Sequence, residues 1–113
     1  MADSVDFDNL RIITGGDAKL EAMLFASFLN MAEQCRQKMQ VAVIAVDETT
    51  WRQRAHTLKG ACLNLGATRL AELCDKAQMH WRAAQDEKTL MLQAIDSELQ
   101  LVRAALRDAN LIT

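Results

Sequence analysis

The chain has 113 residues, 50% hydrophobic and 25% charged, with a net charge of −2; these values fit one small globular domain over residues 1–113 and exclude disorder, collagen-like repeats and low complexity. Four glycines and no proline leave too little punctuation for the many turns of a β-sandwich or barrel. The abundance of Ala, Leu, Gln, Arg, Glu and Met points instead to an all-α fold. With 13 basic against 15 acidic residues, there is no global attraction for nucleic acid or anionic lipid, and neither is expected as a partner.

The most apolar stretch, Met39 to Val46, is about eight residues long, whereas a membrane-spanning helix needs about 20, so no membrane insertion is expected. Residues 1–8 carry three aspartates and lack the basic start and apolar run of a secretory leader, which leads to the expectation of a cytoplasmic location. Cys35, Cys62 and Cys74 are odd in number, widely spaced and set among apolar residues, as reduced, buried thiols are. His80 lies six residues from Cys74, a poor chelate spacing on a helix, and no metal site is expected.

In chain order, residues 3–13 hold Val5, Phe7, Leu10 and Ile13 behind acidic residues that suit a helix start, which predicts a short N-terminal helix. Gly15 and Gly16 break it. Asp17 then caps a long helix over residues 17–46, with Leu20, Leu24, Phe28, Met31, Cys35 and Met39 at helical spacing and the Val41 to Val46 run as its buried end. Thr50 and Gln53 fit a capping box, which predicts a third helix over 50–65 with the stripe Trp51, Ala55, Leu58, Cys62 and Leu65, terminated by Gly66. A fourth helix is expected over 68–84 (Leu70, Leu73, Ala77, Trp81). A fifth follows over 87–109 (Leu92, Ile95, Leu99, Val102, Leu106). The short connections between helices of this length predict an antiparallel up-down four-helix bundle with a short additional N-terminal helix.

The third helix departs from a plain bundle pattern. Its core stripe points away from His56, so the imidazole faces outward, with Arg52, Lys59 and Gly60 three or four residues away on the same face. Glycine inside a helix costs about 1 kcal/mol relative to Ala; close packing against a neighbouring helix is one explanation. Its position on the outer face favours the other, close approach by a second molecule. Thr50 to Arg82 carries six basic and two acidic residues, a local +4 that leaves −6 for the rest of the chain. Such asymmetry suits either a phosphate or an acidic protein surface, or marks only a solvated basic face.

An exposed neutral imidazole is a nucleophile toward activated phosphoryl groups. Lys59 is placed to neutralise phosphoryl oxygens, Gln78 on the antiparallel fourth helix to hold the second ring nitrogen, and Arg82, one turn further, to reach a phosphate oxygen. Leu63, two turns after His56, is either a docking contact or a partly covered core residue. Trp51 and Trp81 read as core or edge aromatics.

The segment from residue 55 to residue 74 resembles the signature of histidine-containing phosphotransfer (HPt) domains of bacterial two-component phosphorelays. It carries the pattern His-x-Leu-Lys-Gly, a glycine ten residues after the histidine, then Leu-Ala and a cysteine, matched by His56, Leu58, Lys59, Gly60, Gly66, Leu70, Ala71 and Cys74. More weakly, Asp17 to Phe28 resembles the family's first long core helix and Asp47 to Trp51 its entry into the histidine helix. The resemblance implies a phosphocarrier in which His56 exchanges a phosphoryl group with receiver-domain aspartates, Lys59 stabilises the group, Gly60 provides clearance and Gln78 orients the ring; Arg82 is a looser match. The implied partners are receiver domains and a hybrid sensor histidine kinase. The carrier would be a monomer, either free in the cytoplasm or the cytosolic end of a larger hybrid kinase.

No Gly-rich nucleotide loop and no Mg²⁺-holding carboxylate cluster are recognisable. No kinase activity and no cofactor of the chain's own are therefore expected, the Mg²⁺ residing on the partner receiver. The competing expectations are a helical interaction module that binds a receiver or kinase through the same face without being phosphorylated, and a metal-binding or redox bundle.

Overall fold

The computed structural model describes residues 4–109, which form α1 (Phe7–Thr14), α2 (Ala18–Ala45), α3 (Glu48–Leu65), α4 (Thr68–Met79) and α5 (Gln85–Asp108), with no strand among them. Helices α2, α3, α4 and α5 form the closed ring of the bundle, each packing on two neighbours, while α1 lies against α2 and α3. Among the described residues, no helix is long and apolar enough to cross a membrane.

Side-chain caps set three of the helix starts. Asp6 accepts from the Asn9 N–H (3.1 Å) and Asp17 from the N–H groups of Lys19 and Leu20 (2.9 and 3.1 Å), each satisfying donors that a helix start leaves free. Residue 3, the expected first residue of α1, lies outside the described residues, and Asp6 caps the helix further along. At α3 the expected Thr50 cap and its capping box do not form. Asp47 is the cap, accepting from the Thr50 N–H (3.0 Å) and hydroxyl (2.6 Å), so the helix begins at Glu48 and Thr50 lies inside its first turn.

The expected stripes of α3 and α5 are buried in full, from Trp51 to Leu65 and from Leu92 to Leu106. At the start of α2 the stripe is rotated: Glu21 and Phe25 point inward while Leu20 and Leu24 are exposed. On this face the Thr14 hydroxyl of α1 donates to Glu21 Oε1 at 2.9 Å, and Phe25 is fully buried. Ile13 is exposed. At the other end of α2, Ala42 and Val43 are buried, but Val41, Ile44 and Val46 face outward; a helix running past one neighbour buries only part of an apolar run.

Helix α4 stops at Met79 rather than at residue 84. His80 closes it, its N–H and its ring Nδ1 both reaching Lys76 O (3.0 and 2.8 Å), and residues 80–83 form a turn closed by Ala83 N–H to His80 O. Helix α5 therefore starts at Gln85, two residues early, with Gln85 Nε2 donating to Val43 O at 2.7 Å. Gly66 ends α3 in the left-handed conformation (φ 83°) and accepts from the Asp6 N–H at 2.8 Å. A Cβ there would lie 2.9 Å from Asp6 O, so both conformation and space require glycine.

Cys35, Cys62 and Cys74 are buried and unpaired. Burial pushes the Cys35 thiol up, and the neighbouring Cys74 thiol together with burial pushes Cys62 up further, which keeps both in the unreactive protonated form.

Urea unfolding tests the assignment of α3's two faces. Leu58→Ala, at a fully buried position, should cost about 2–5 kcal/mol, whereas Leu63→Ala, at a position 53% exposed, should change stability by no more than about 0.5 kcal/mol.

Candidate functional site

His56, Lys59 and Gly60 lie on the face of α3 opposite the buried stripe, with His56 and Gly60 exposed and Lys59 half-buried. A Cβ built on Gly60 meets nothing within 4 Å. The packing explanation for this glycine therefore fails, and what it provides is open space beside the imidazole.

Helix α4 runs antiparallel to α3 and completes the site. Their register is fixed inside the bundle, where the buried Trp51 ring donates from Nε1 to Ala77 O at 2.8 Å while Lys88 from α5 lies over the same ring, 5.4 Å from its centroid. In this register two contacts cross the surface of the helix pair. His56 Nδ1 lies 3.3 Å from Gln78 Oε1, and Lys59 Nζ donates to Asp75 Oδ1 at 2.8 Å. His56 and Lys59 are three residues apart, as are Asp75 and Gln78, so the contacts are successive rungs one helical turn apart. Because a carbonyl oxygen can only accept, the first rung requires Nδ1 to carry the ring proton, which leaves the lone pair on Nε2.

Around the imidazole is a shallow depression of about 420 Å³ lined by Thr49, Arg52, Gln53, His56, Gln78 and Trp81. Arg52 and Arg82 both place their guanidinium groups over the Trp81 ring, 5.4 and 4.4 Å from its centroid.

The structure thus brings His56, Gly60, Gln78 and Arg52 together. Leu63 is exposed on the same helix and is not a core residue. One expectation is corrected. Arg82 is not one turn beyond Gln78 on α4: the helix has ended, and Arg82 sits in the following turn, stacked on Trp81 outside the depression. Lys59, on the same face, is paired with Asp75.

Asp75, Trp81, Thr49 and Gln53 were missed as site residues in the sequence. For Asp75 the signal was present: once Gln78 faces His56 in an antiparallel pair, the residue three before Gln78 faces the residue three after His56. Trp81 had no comparable signal, because its position depends on where α4 ends. Among the described residues, no three His, Cys, Asp or Glu side chains converge into a metal-binding group.

The fold and site together define a class: all-helical bundles that present an exposed histidine backed by a neighbouring helix and cleared on one side by a glycine. The sequence profile of the Hpt domain matches residues 23–109, and the chain belongs to the Hpt family, the phosphotransfer modules of phosphorelays, which are not themselves kinases. The crystal structure of histidine-containing phosphotransfer protein B (HptB) from Pseudomonas aeruginosa PAO1 is similar in fold, with a TM-score of 0.86 over 96% of each chain at 22% sequence identity. A search of curated protein sequences gives no match.

Nitrogen-15 NMR of the ring reads the first rung directly. The neutral His56 ring should be protonated at Nδ1, and Gln78→Leu, which removes the acceptor, should shift it toward the Nε2-protonated tautomer. An unchanged tautomer in the variant would show that Gln78 does not orient the ring.

Proposed function

We propose that this chain is a phosphocarrier in which His56 takes a phosphoryl group from the aspartyl phosphate of one receiver domain and passes it to the aspartate of another. The observation that carries this reading is the approach of Gln78 Oε1 to His56 Nδ1 at 3.3 Å, which turns Nε2 toward solvent as the nucleophile. The Nε2 lone pair attacks phosphorus and the N–P bond forms. The bond from phosphorus to the aspartyl oxygen breaks, and its electron pair leaves with the carboxylate. Nδ1 keeps its proton, and the positive charge that develops on the ring is stabilised by the Gln78 carbonyl. Onward transfer is the same path reversed.

Phosphoryl transfer depends mainly on positioning and charge stabilisation rather than on proton relays. A carrier therefore needs little beyond an oriented nucleophile, a nearby cation and access. Lys59 is the proposed cation, Gly60 the clearance, and Arg52 and Leu63 the surrounding docking contacts. In this proposal the acceptor aspartate and its Mg²⁺ belong to the receiver. The partners are receiver domains and the hybrid sensor histidine kinase that feeds them, and the carrier works as a monomer in the cytoplasm.

Incubation with phosphoramidate or a phosphorylated receiver, followed by intact mass, should add one phosphate that is acid-labile, base-stable and absent from His56→Gln. No adduct under conditions that label a control carrier would contradict phosphotransfer and favour a binding module that uses the same face. Gly60→Leu should be charged by phosphoramidate at the wild-type rate but by a phosphorylated receiver at least about tenfold more slowly, because only the larger donor needs the clearance. Equal slowing with both donors would contradict the docking role.

A further inference from the structure

The ion pair that forms the second rung of the helix pair takes no part in the bond-making and bond-breaking at His56. Lys59, one turn from His56, is the cation expected on the phosphoryl oxygens, yet Asp75 holds it at 2.8 Å. Among the described residues Lys59 is the sole ion-pair partner of Asp75. An ammonium on a flexible four-carbon stem is a mobile point charge, able to exchange one anion for another within its reach. A transferring phosphoryl group presents more negative charge than a carboxylate and competes for the same three donors.

We propose that Asp75 is a positioning residue that parks Lys59 away from His56 and so holds down the reactivity of the undocked carrier. This rests on the phosphocarrier reading of His56. Lys59 has to leave Asp75 to neutralise the phosphoryl oxygens in the transition state, and whatever stability the pair contributes adds to the barrier. The two side chains are 32% and 42% exposed, and pairs as open as this are weak. The restraint is therefore small enough to be released at each turnover, and its removal corresponds to a rate change of roughly 1.5- to 5-fold.

Asp75 also repels an incoming phosphoryl group directly, an effect that does not involve Lys59, and the test has to separate the two. Charging of wild type, Asp75→Asn, Asp75→Glu, Lys59→Gln and the double variant Asp75→Asn/Lys59→Gln with phosphoramidate gives the initial rates. In this step Nε2 bonds to phosphorus, the donor's P–N bond breaks, and ammonia leaves after taking a proton from water. Asp75→Asn should charge roughly 1.5- to 5-fold faster than wild type. Asp75→Glu, which keeps the carboxylate, should return toward the wild-type rate, Lys59→Gln should be slower, and in the Lys59→Gln background Asp75→Asn should accelerate charging by a smaller factor, since only the direct repulsion is then removed.

An unchanged or lower rate in Asp75→Asn would overturn the proposal, as would an acceleration of the same size without Lys59. A lowered Tm with an unchanged charging rate would show that Asp75 is only a structural clasp. If wild type itself takes no phosphate, the phosphocarrier reading falls and this proposal with it; if wild type charges and the Asp75 variants behave like it, this proposal alone falls.

Discussion

The antiparallel contact between α3 and α4 is the constraint on which the exposed face depends. Its buried side includes the small residues Ala55, Cys62, Ala71, Cys74 and Ala77 beside Trp51, Leu58 and Leu70. The Trp51 bond to Ala77 O then locks their relative slide. With that register fixed, His56 meets Gln78, Lys59 meets Asp75, and Arg52 reaches over Trp81. A shift of one residue along α4 would rotate its side chains by about 100° and take both Gln78 and Asp75 off the shared face. Cys62 and Cys74 fit this picture as small, buried apolar spacers.

The rest of the molecule is a frame for this pair. Helices α2 and α5 close the bundle behind it with the large core residues, among them Phe25, Met39, Ile95 and Leu99. The N-terminal segment braces the α3–α4 turn through the Asp6–Gly66 hydrogen bond, which fixes where α4 begins. Stability therefore comes from the inner faces. His56, Gly60 and Leu63 are outside that core, so their identities are free to answer to chemistry and docking rather than to folding.

What could be read in the sequence follows the same division. The stripes of α3 and α5 were legible because each helix buries one continuous face against the bundle, and periodicity records just that. His56 and Gly60 were legible as exceptions to it, a histidine off the stripe and a helical glycine with nothing to pack against. Residues whose positions depend on a neighbouring element were not. Leu20 and Leu24 looked like core because they share a helical period with Phe28, whereas the contact of Thr14 with Glu21 across α1 and α2 has no sequence period. The stretch from Trp81 to Ala84 looked helical because it consists of residues compatible with a helix, with neither Gly nor Pro to end it, so the turn set by the α4–α5 connection was hidden and Arg82 was placed on the helix rather than in the turn after it. Lys59 was assigned by its own helix alone, and the carboxylate that holds it lies across the interface.

The most direct measurement is the position of phosphate on the charged protein, by phosphorus–nitrogen correlated NMR of the phosphohistidine. A register that fixes the Nδ1 proton against Gln78 predicts phosphate on Nε2 of His56. Phosphate on Nδ1 of that ring, or on the second exposed imidazole at His80, would contradict it.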